Sequence, residues 1–278
     1  MIDLHTHSTA SDGSFSPSAL IIEAAKCGLS AIALTDHDTT GGIKEAAKAA
    51  KENGIRFIPG IELEIAWNRD GEFHLLALGL GELKDEFTAA LEELARRRLK
   101  RNLEIIDRMN EAGIEVSYDE VQALGHSIGR PHFAAFLTER KIVKNRLQAF
   151  DRYLGKGRPF YIPKEGLEFE LALNIIRGSG GIAVLAHPMS LYTAWGKLPD
   201  LIKSFKEKGL DGIEAWHPST RVSYCKRLEE LGRKLGLYIT AGSDFHGEAR
   251  KDRKLGFTAG RRKISESFLE DIPVLGAI

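Results

Sequence analysis

Two hydrophobic periods alternate along the chain. Short, nearly continuous apolar runs at Ile2–Leu4, Ala31–Leu34, Ile55–Ile58, Ile182–Leu185, Gly212–Ala215 and Leu237–Ala241 predict buried strands. Between them lie stretches in which apolar positions recur every three or four residues, the period of a half-buried helix. Ser16-Pro17 reads as a helix start, with Ser as N-cap and Pro in the first turn; Leu20, Ile21, Ala24 and Ala25 supply the stripe and Gly28 the stop. A second helix is predicted over Gly41–Asn53, closed by Gly54, and others near Leu198–Lys208 and Val222–Leu235. Ile61-Glu62 follow a break at Pro59-Gly60, and Glu62–Trp67 and Glu72–Leu78 form a predicted hairpin across Asn68-Arg69-Asp70-Gly71.

From Glu82 to Ala112 the pattern is one long helix, with Phe87, Leu91, Leu94, Leu103 and Ile106 at helical spacing, and residues 114–164 are helical and loop-like. The strand-then-helix rhythm resumes at Glu168. Repetition of that unit implies a parallel sheet. The chemically capable residues follow strand after strand at C-terminal ends. An open sheet would gather them only at a switch point, whereas a barrel gathers them on one face. The expected architecture is α/β: a closed or nearly closed βα barrel from residues 1–80 and 165–278, capped by a mainly helical insertion at 81–164.

Composition narrows the function. Lys plus Arg equals Asp plus Glu, 39 each in 278 residues, so no global field would hold long nucleic acid, and phosphate binding must be local. The run Arg96-Arg97-Arg98-Leu99-Lys100-Arg101 reads as a solvated helix face, supported by Glu92–Arg96 and Glu93–Arg97 pairs. Cys27 and Cys225 read as buried thiols in helices, which fits a cytoplasmic protein. No apolar run approaches the length of a membrane span, and the first residues read as strand rather than signal peptide.

The first thirteen residues carry the clearest chemistry. His5 and His7 stand two apart at a strand end, so both imidazoles point the same way, and Asp12 can return from the following loop. Imidazole and carboxylate together suit Zn²⁺, Mn²⁺ or Fe²⁺ rather than a Ca²⁺ cage. Thr35-Asp36-His37, Gly60-Ile61-Glu62, His74, Ala186-His187-Pro188 and Gly242-Ser243-Asp244-Phe245-His246 extend the pattern. With His5-Thr6-His7 and Ser11-Asp12-Gly13, this ordered series resembles the motifs of the PHP (polymerase and histidinol phosphatase) family.

The resemblance implies a distorted barrel of seven βα units holding two or three divalent cations. One would take His5, His7, Glu62 and Asp244; a second would share Glu62 with His74 and His187; a third would take Asp12, His37 and His246. Asp36 would orient an imidazole from behind. A hydroxide held between two cations about 3.5–4 Å apart would attack phosphorus in line. His217 follows a strand and is expected to contact phosphate or protonate the leaving group. In the cap, Arg130 and His132, and Lys156 and Arg158 around Gly157, suit phosphate binding.

The short chain resembles stand-alone PHP members that remove the 3′-phosphate of nucleoside 3′,5′-bisphosphates and nucleotides from short RNA 5′ ends. The expected substrate is therefore a small phosphorylated molecule, a nucleotide or short oligoribonucleotide. Histidinol phosphate is the alternative within the family. A non-catalytic, metal-stabilised polymerase-associated module is a different class, and the complete ligand series argues against it.

Overall fold

A computed structural model describes residues 1–125, 128–272 and 275. His126, read in the sequence as a loop residue without a role, lies outside the described residues. The first half contains β1 (Ile2–Asp3), α1 (Pro17–Lys26), β2 (Ala31–Leu34), α2 (Ile43–Asn53), β3 (Arg56–Glu64) and β4 (His74–Leu78). Ser16 caps α1 by accepting the Ala19 N–H. The insertion holds α3 (Asp85–Glu111), α4 (Tyr118–Gln122), α5 (Arg130–Glu139), α6 (Arg146–Ala149) and a π-helical turn at Phe150–Leu154. Then come α7 (Phe169–Gly178), β5 (Ile182–Leu185), α8 (Leu198–Lys208), β6 (Gly212–Trp216), α9 (Val222–Lys234) and β7 (Tyr238–Ala241).

The seven strands pair in sequence order. β1, β2 and β3 are parallel, as are β5, β6 and β7, while β4 runs antiparallel to both neighbours. Beyond its last strand the sheet returns to its first: Asp244 N donates to His5 O and His7 N to Phe245 O, both at 2.9 Å. The result is a nearly closed barrel, distorted because a hairpin replaces one βα unit.

The break expected at Pro59-Gly60 is absent, and β3 is one strand of nine residues. Proline sits where β3 exchanges partners: Pro59 is opposite Leu34 of β2, and Gly60 opposite Leu78 of β4. A missing N–H is tolerated at such a switch. The barrel core includes Ile2, Ile58, Ile61, Val184 and Ile213, together with Phe87, Ala90 and Leu94 from the first half of α3. A second core, from Ile105 through Phe133 to Ile162, holds the insertion together. α3 thus belongs to both and anchors the cap on the barrel. Cys225 is buried as expected, but Cys27 is exposed, because it follows α1 on that helix's outer side. Among the described residues no helix is long and apolar enough to cross a membrane.

Candidate active site

The end of β1 is fixed to the loop after β7 by a buried carboxylate. Asp3 accepts the Ser243 and Gly256 N–H groups at 2.9 and 2.8 Å, and burial pushes its carboxyl up to about 6. Gly242 permits this approach: a Cβ there would lie 2.2 Å from His5 Cβ and 2.6 Å from Glu214 Oε1. Three non-glycine residues at strand ends take positive φ: Asp38 at 50°, His187 at 26° and Asp244 at 51°. Each such conformation costs on the order of 1–3 kcal/mol and persists only where surrounding bonds hold it. His187 N donates to Glu214 Oε2 at 2.8 Å, and Asp38 N donates to Glu62 O at 2.9 Å.

These constraints bring the histidines and acids together. His5 Nε2 lies 3.0 Å from His7 Nε2, 3.3 Å from Glu62 Oε2 and 3.6 Å from Asp244 Oδ1. His7 Nε2 is 3.4 Å from both carboxylates. Separations of 3.0–3.6 Å between these nitrogen and oxygen atoms are compatible with a shared cation, which binds such ligands at about 2.0–2.2 Å. The other oxygen of Glu62 is 2.9 Å from His74 Nδ1 and 2.8 Å from His187 Nε2. A third grouping joins His7, Asp12, His37 and His246. There Asp12 Oδ1 is buried, 3.2 Å from His246 Nε2 and 4.0 Å from His37 Nε2. A buried carboxylate facing several imidazole nitrogens, all within reach of one another, fits a cation.

The charges agree with this. Burial alone would raise the Glu62, Asp12 and Asp244 carboxyls, but the surrounding imidazoles hold all three well below the usual range. Burial opposes protonation of the imidazoles too, yet Glu214 and Glu62 hold His5 well above its usual value, and Glu64 and Glu62 do the same for His74. Asp12 and Asp244 bring His246 up to about 9 against its burial, whereas burial takes His37 down to about 4.

Above this cluster lies a cavity of about 370 Å³ between barrel and insertion. Asp12, Glu62, His74, His187, Asp244 and His246 line it, and so do Arg98, Arg101, Arg130, His132, Arg146 and Lys164. Arg130 pairs with Glu72 at 3.1 Å and lies over the Tyr161 ring. His132 Nδ1 accepts the Gly129 N–H at 3.2 Å. Lys156 and Arg158, expected to bind phosphate, do not line this cavity; they are exposed and pair with Asp70 and Asp151. The solvated-face reading of the basic run also fails for two residues. Arg98 pairs with Asp38, and Arg101 is only 9% exposed, its Nε without a partner. Burial, with Arg98 and Arg130 beside it, lowers the Arg101 pKa to about 10.

A family model described as "PHP domain" matches residues 3–153. The chain belongs to the PHP family. Among curated relatives, a "5′-3′ exoribonuclease" of Haemophilus influenzae is 39% identical over 88% of this chain and 89% of its own. A "3′,5′-nucleoside bisphosphate phosphatase" of Chromobacterium violaceum is 35% identical over 92% and 91%. Among solved structures, a Bifidobacterium adolescentis protein described as a metal-dependent phosphoesterase superposes with TM-score 0.87 at 27% identity, over 99% of this chain and 96% of its own. A Chromobacterium violaceum protein described as an amidohydrolase, with bound sulfate and no metal, gives 0.85 at 34% identity, over 94% and 92%.

In this PHP domain several supporting residues depart from the sequence expectations. Asp36 orients no imidazole: it accepts Ser8 N, Ser8 Oγ and Ser11 Oγ at 2.6–2.7 Å and so fixes the loop that carries Asp12. His217 does not reach the cavity. It is buried behind Asp244, with Nε2 3.2 Å from Asp244 Oδ2 and Nδ1 2.7 Å from Ser219 Oγ. The groups that do orient imidazoles include Glu214, 3.0 Å from His5 Nδ1, Glu64, 2.9 Å from His74 Nε2, Ser190, 2.8 Å from His187 Nδ1, and the Asp244 carbonyl, 2.9 Å from His246 Nδ1. Glu214 had a signal, being an acid inside the apolar strand Gly212–Trp216, and Glu64 stands two residues from Glu62 on the same strand. Arg98 and Arg101 continue the stripe Leu94–Ile105 at helical spacing, so the pattern already turned them inward.

Proposed function

We propose that this metal-dependent PHP phosphoesterase hydrolyses the 3′-phosphate of nucleoside 3′,5′-bisphosphates, and cuts the same P–O3′ bond at the 5′ end of short oligoribonucleotides. The observation that carries the reading is Arg101. A buried guanidinium with an unpartnered Nε, beside Arg98 and Arg130, lines the same cavity as the imidazole–carboxylate cluster. That cavity therefore offers two separate places for anions, and a bisphosphate has two.

His5, His7, Glu62 and Asp244 would hold one divalent cation; Glu62, His74 and His187 a second; and Asp12, His37 and His246 a third, with Mn²⁺, Fe²⁺ and Zn²⁺ all compatible with these donors. Bound there, such ions supply a water of lowered pKa and positive charge facing the phosphoryl oxygens. The chain's own part is placement. Glu64 and Glu214 keep the His74 and His5 rings turned toward Glu62. Arg101, Arg98 and Arg130 hold the 5′-phosphate, which positions the 3′-phosphate at the cluster. In a bisphosphate the P–O3′ bond breaks, water oxygen ends on phosphorus and a proton on O3′. In RNA the same bond joins the first nucleotide to the rest, so one geometry serves both activities that the relatives' names describe.

The test is turnover by the metal-loaded protein on adenosine 3′,5′-bisphosphate, adenosine 3′-monophosphate and histidinol phosphate. The bisphosphate is expected to be preferred by at least roughly tenfold over the monophosphate, since one charge-assisted contact is worth about 1.5–3 kcal/mol. Fast histidinol phosphate hydrolysis with none of the bisphosphate overturns the reading.

A further inference from the structure

The loops after β5 and β6, together with the first turns of α9, carry a second basic and aromatic feature that the cavity does not use. Tyr192, in the loop that begins with His187, is 78% exposed and held at φ 48°. Three residues on, Trp195 meets Tyr224 with ring centroids 5.5 Å apart. The Arg227 guanidinium lies 3.9 Å from the Trp195 centroid and 5.7 Å from that of Tyr224. Arg221, Tyr224 and Arg227 stand three apart at the start of α9 and so share one face. Both arginines are exposed, and among the described residues neither is in an ion pair.

The position of this group on the barrel matters. In a βα barrel, loops at the C-terminal strand ends border the site. The insertion is tied to the barrel rim elsewhere: Arg98 to Asp38 after β2, Lys156 to Asp70 and Arg130 to Glu72 in the β3–β4 hairpin, and Arg146 to Ala249 O after β7. Among the described residues no hydrogen bond or ion pair from the insertion ends on residues 188–197 or 217–227. The side of the rim at β5 and β6 is thus clear of these ties.

We propose that Tyr192, Trp195, Tyr224 and Arg227, with Arg221 beside them, form a stacking platform for the nucleotides on the 3′ side of the scissile phosphate of a short single-stranded RNA. The exposed Tyr192 ring, the half-buried Trp195 and Tyr224 rings and the exposed Arg227 guanidinium offer faces on which any base stacks without regard to sequence, and arginines outside ion pairs receive the phosphates between them. The overall charge balance is compatible with this, because a local patch suffices for a few nucleotides. The inference rests on the exoribonuclease half of the proposed function.

Two measurements test it. Full-length metal-loaded protein and the variants Tyr192→Asn, Arg227→Ser and Arg221→Ser are titrated with a fluorescently labelled 5′-phosphorylated pentaribonucleotide, and assayed on it and on adenosine 3′,5′-bisphosphate. Asparagine suits the left-handed backbone at position 192, and all three sites are exposed, so folding is spared. The platform predicts roughly five- to hundredfold weaker pentanucleotide binding for Tyr192→Asn, from the energy of base–aromatic stacking, and smaller losses for the arginines. Bisphosphate turnover, which needs no trailing strand, stays unchanged. Unaltered pentanucleotide binding in all three variants, or equal losses on both substrates, overturns the proposal. Variant-sensitive binding without RNA cleavage leaves the platform standing and removes the exoribonuclease reading instead.

Discussion

Replacing Arg101 by Met separates a substrate-binding arginine from a structural one. Met retains most of the apolar stem and removes the charge. Among the described residues Arg101 is in no ion pair, and burial lowers its pKa from the usual arginine value to about 10, so the charged form is disfavoured at this place. At 1.36 kcal/mol per pKa unit that is on the order of 3 kcal/mol against the folded, ligand-free protein. Arg101→Met should therefore raise stability by roughly 1–3 kcal/mol, seen as a Tm higher by a few °C at matched metal content. A 5′-phosphate at Arg101 would recover that cost, so the same variant should lose about 1.5–3 kcal/mol of transition-state binding for adenosine 3′,5′-bisphosphate, roughly ten- to hundredfold in kcat/KM. Adenosine 3′-monophosphate, which lacks the clamped group, should change little. The assay is steady-state phosphate release beside thermal unfolding of the same samples. A lower Tm with equal losses on both substrates would mean that Arg101 holds the cap together and would refute this reasoning.

Three further outcomes follow from the site. Glu64→Gln removes the carboxylate on His74 Nε2 and should weaken divalent-cation affinity roughly ten- to hundredfold, measured by competition with a chelating dye, with the circular dichroism spectrum unchanged. His5, His74 and His246 hold protons in the ion-free protein because their pKa values are raised, His246 to about 9, so cation binding at pH 7 should release protons, and less of them as pH rises through 9; calorimetry in buffers of different ionisation enthalpy reads that number, and zero release at pH 7 contradicts the cluster as described. Gly242→Ala places a methyl 2.2 Å from His5 Cβ and should destabilise the protein and lower its cation content together, whereas a variant with normal affinity would show that cation binding does not depend on this close approach to His5.

Much of this was legible because strand ends advertise themselves. An apolar run that stops at His5-x-His7, or at His187 or Asp244, leaves those side chains at one end of the barrel whatever the loops do, and the structure does gather them there. What lay in the second layer was harder to see. Asp36 follows a strand as the ligand candidates do, yet a buried carboxylate takes whichever donors come nearest, and here these are Ser8 and Ser11. His217 also stands at a strand end, but Asp244 sits between it and the cavity. The cap misled most. Lys156 and Arg158 flank a glycine in a suggestive way, but reach only surface acids, while Arg98 and Arg101 were hidden in a run whose first member, Arg96, is solvated. Local pairing explained Arg97 through Glu93, Arg96 takes the same Glu93 rather than the expected Glu92, and only the stripe of Leu94 and Ile105 marked their neighbours as inward-facing.

The position of the bond that breaks tests the central claim most directly. Metal-loaded protein incubated with adenosine 3′,5′-bisphosphate and followed by phosphorus NMR should yield inorganic phosphate and adenosine 5′-monophosphate, because the arginines keep the 5′-phosphate and present the 3′-phosphate to the imidazole–carboxylate cluster. Accumulation of adenosine 3′-monophosphate, or no phosphate release with the cation sites filled, would contradict the account.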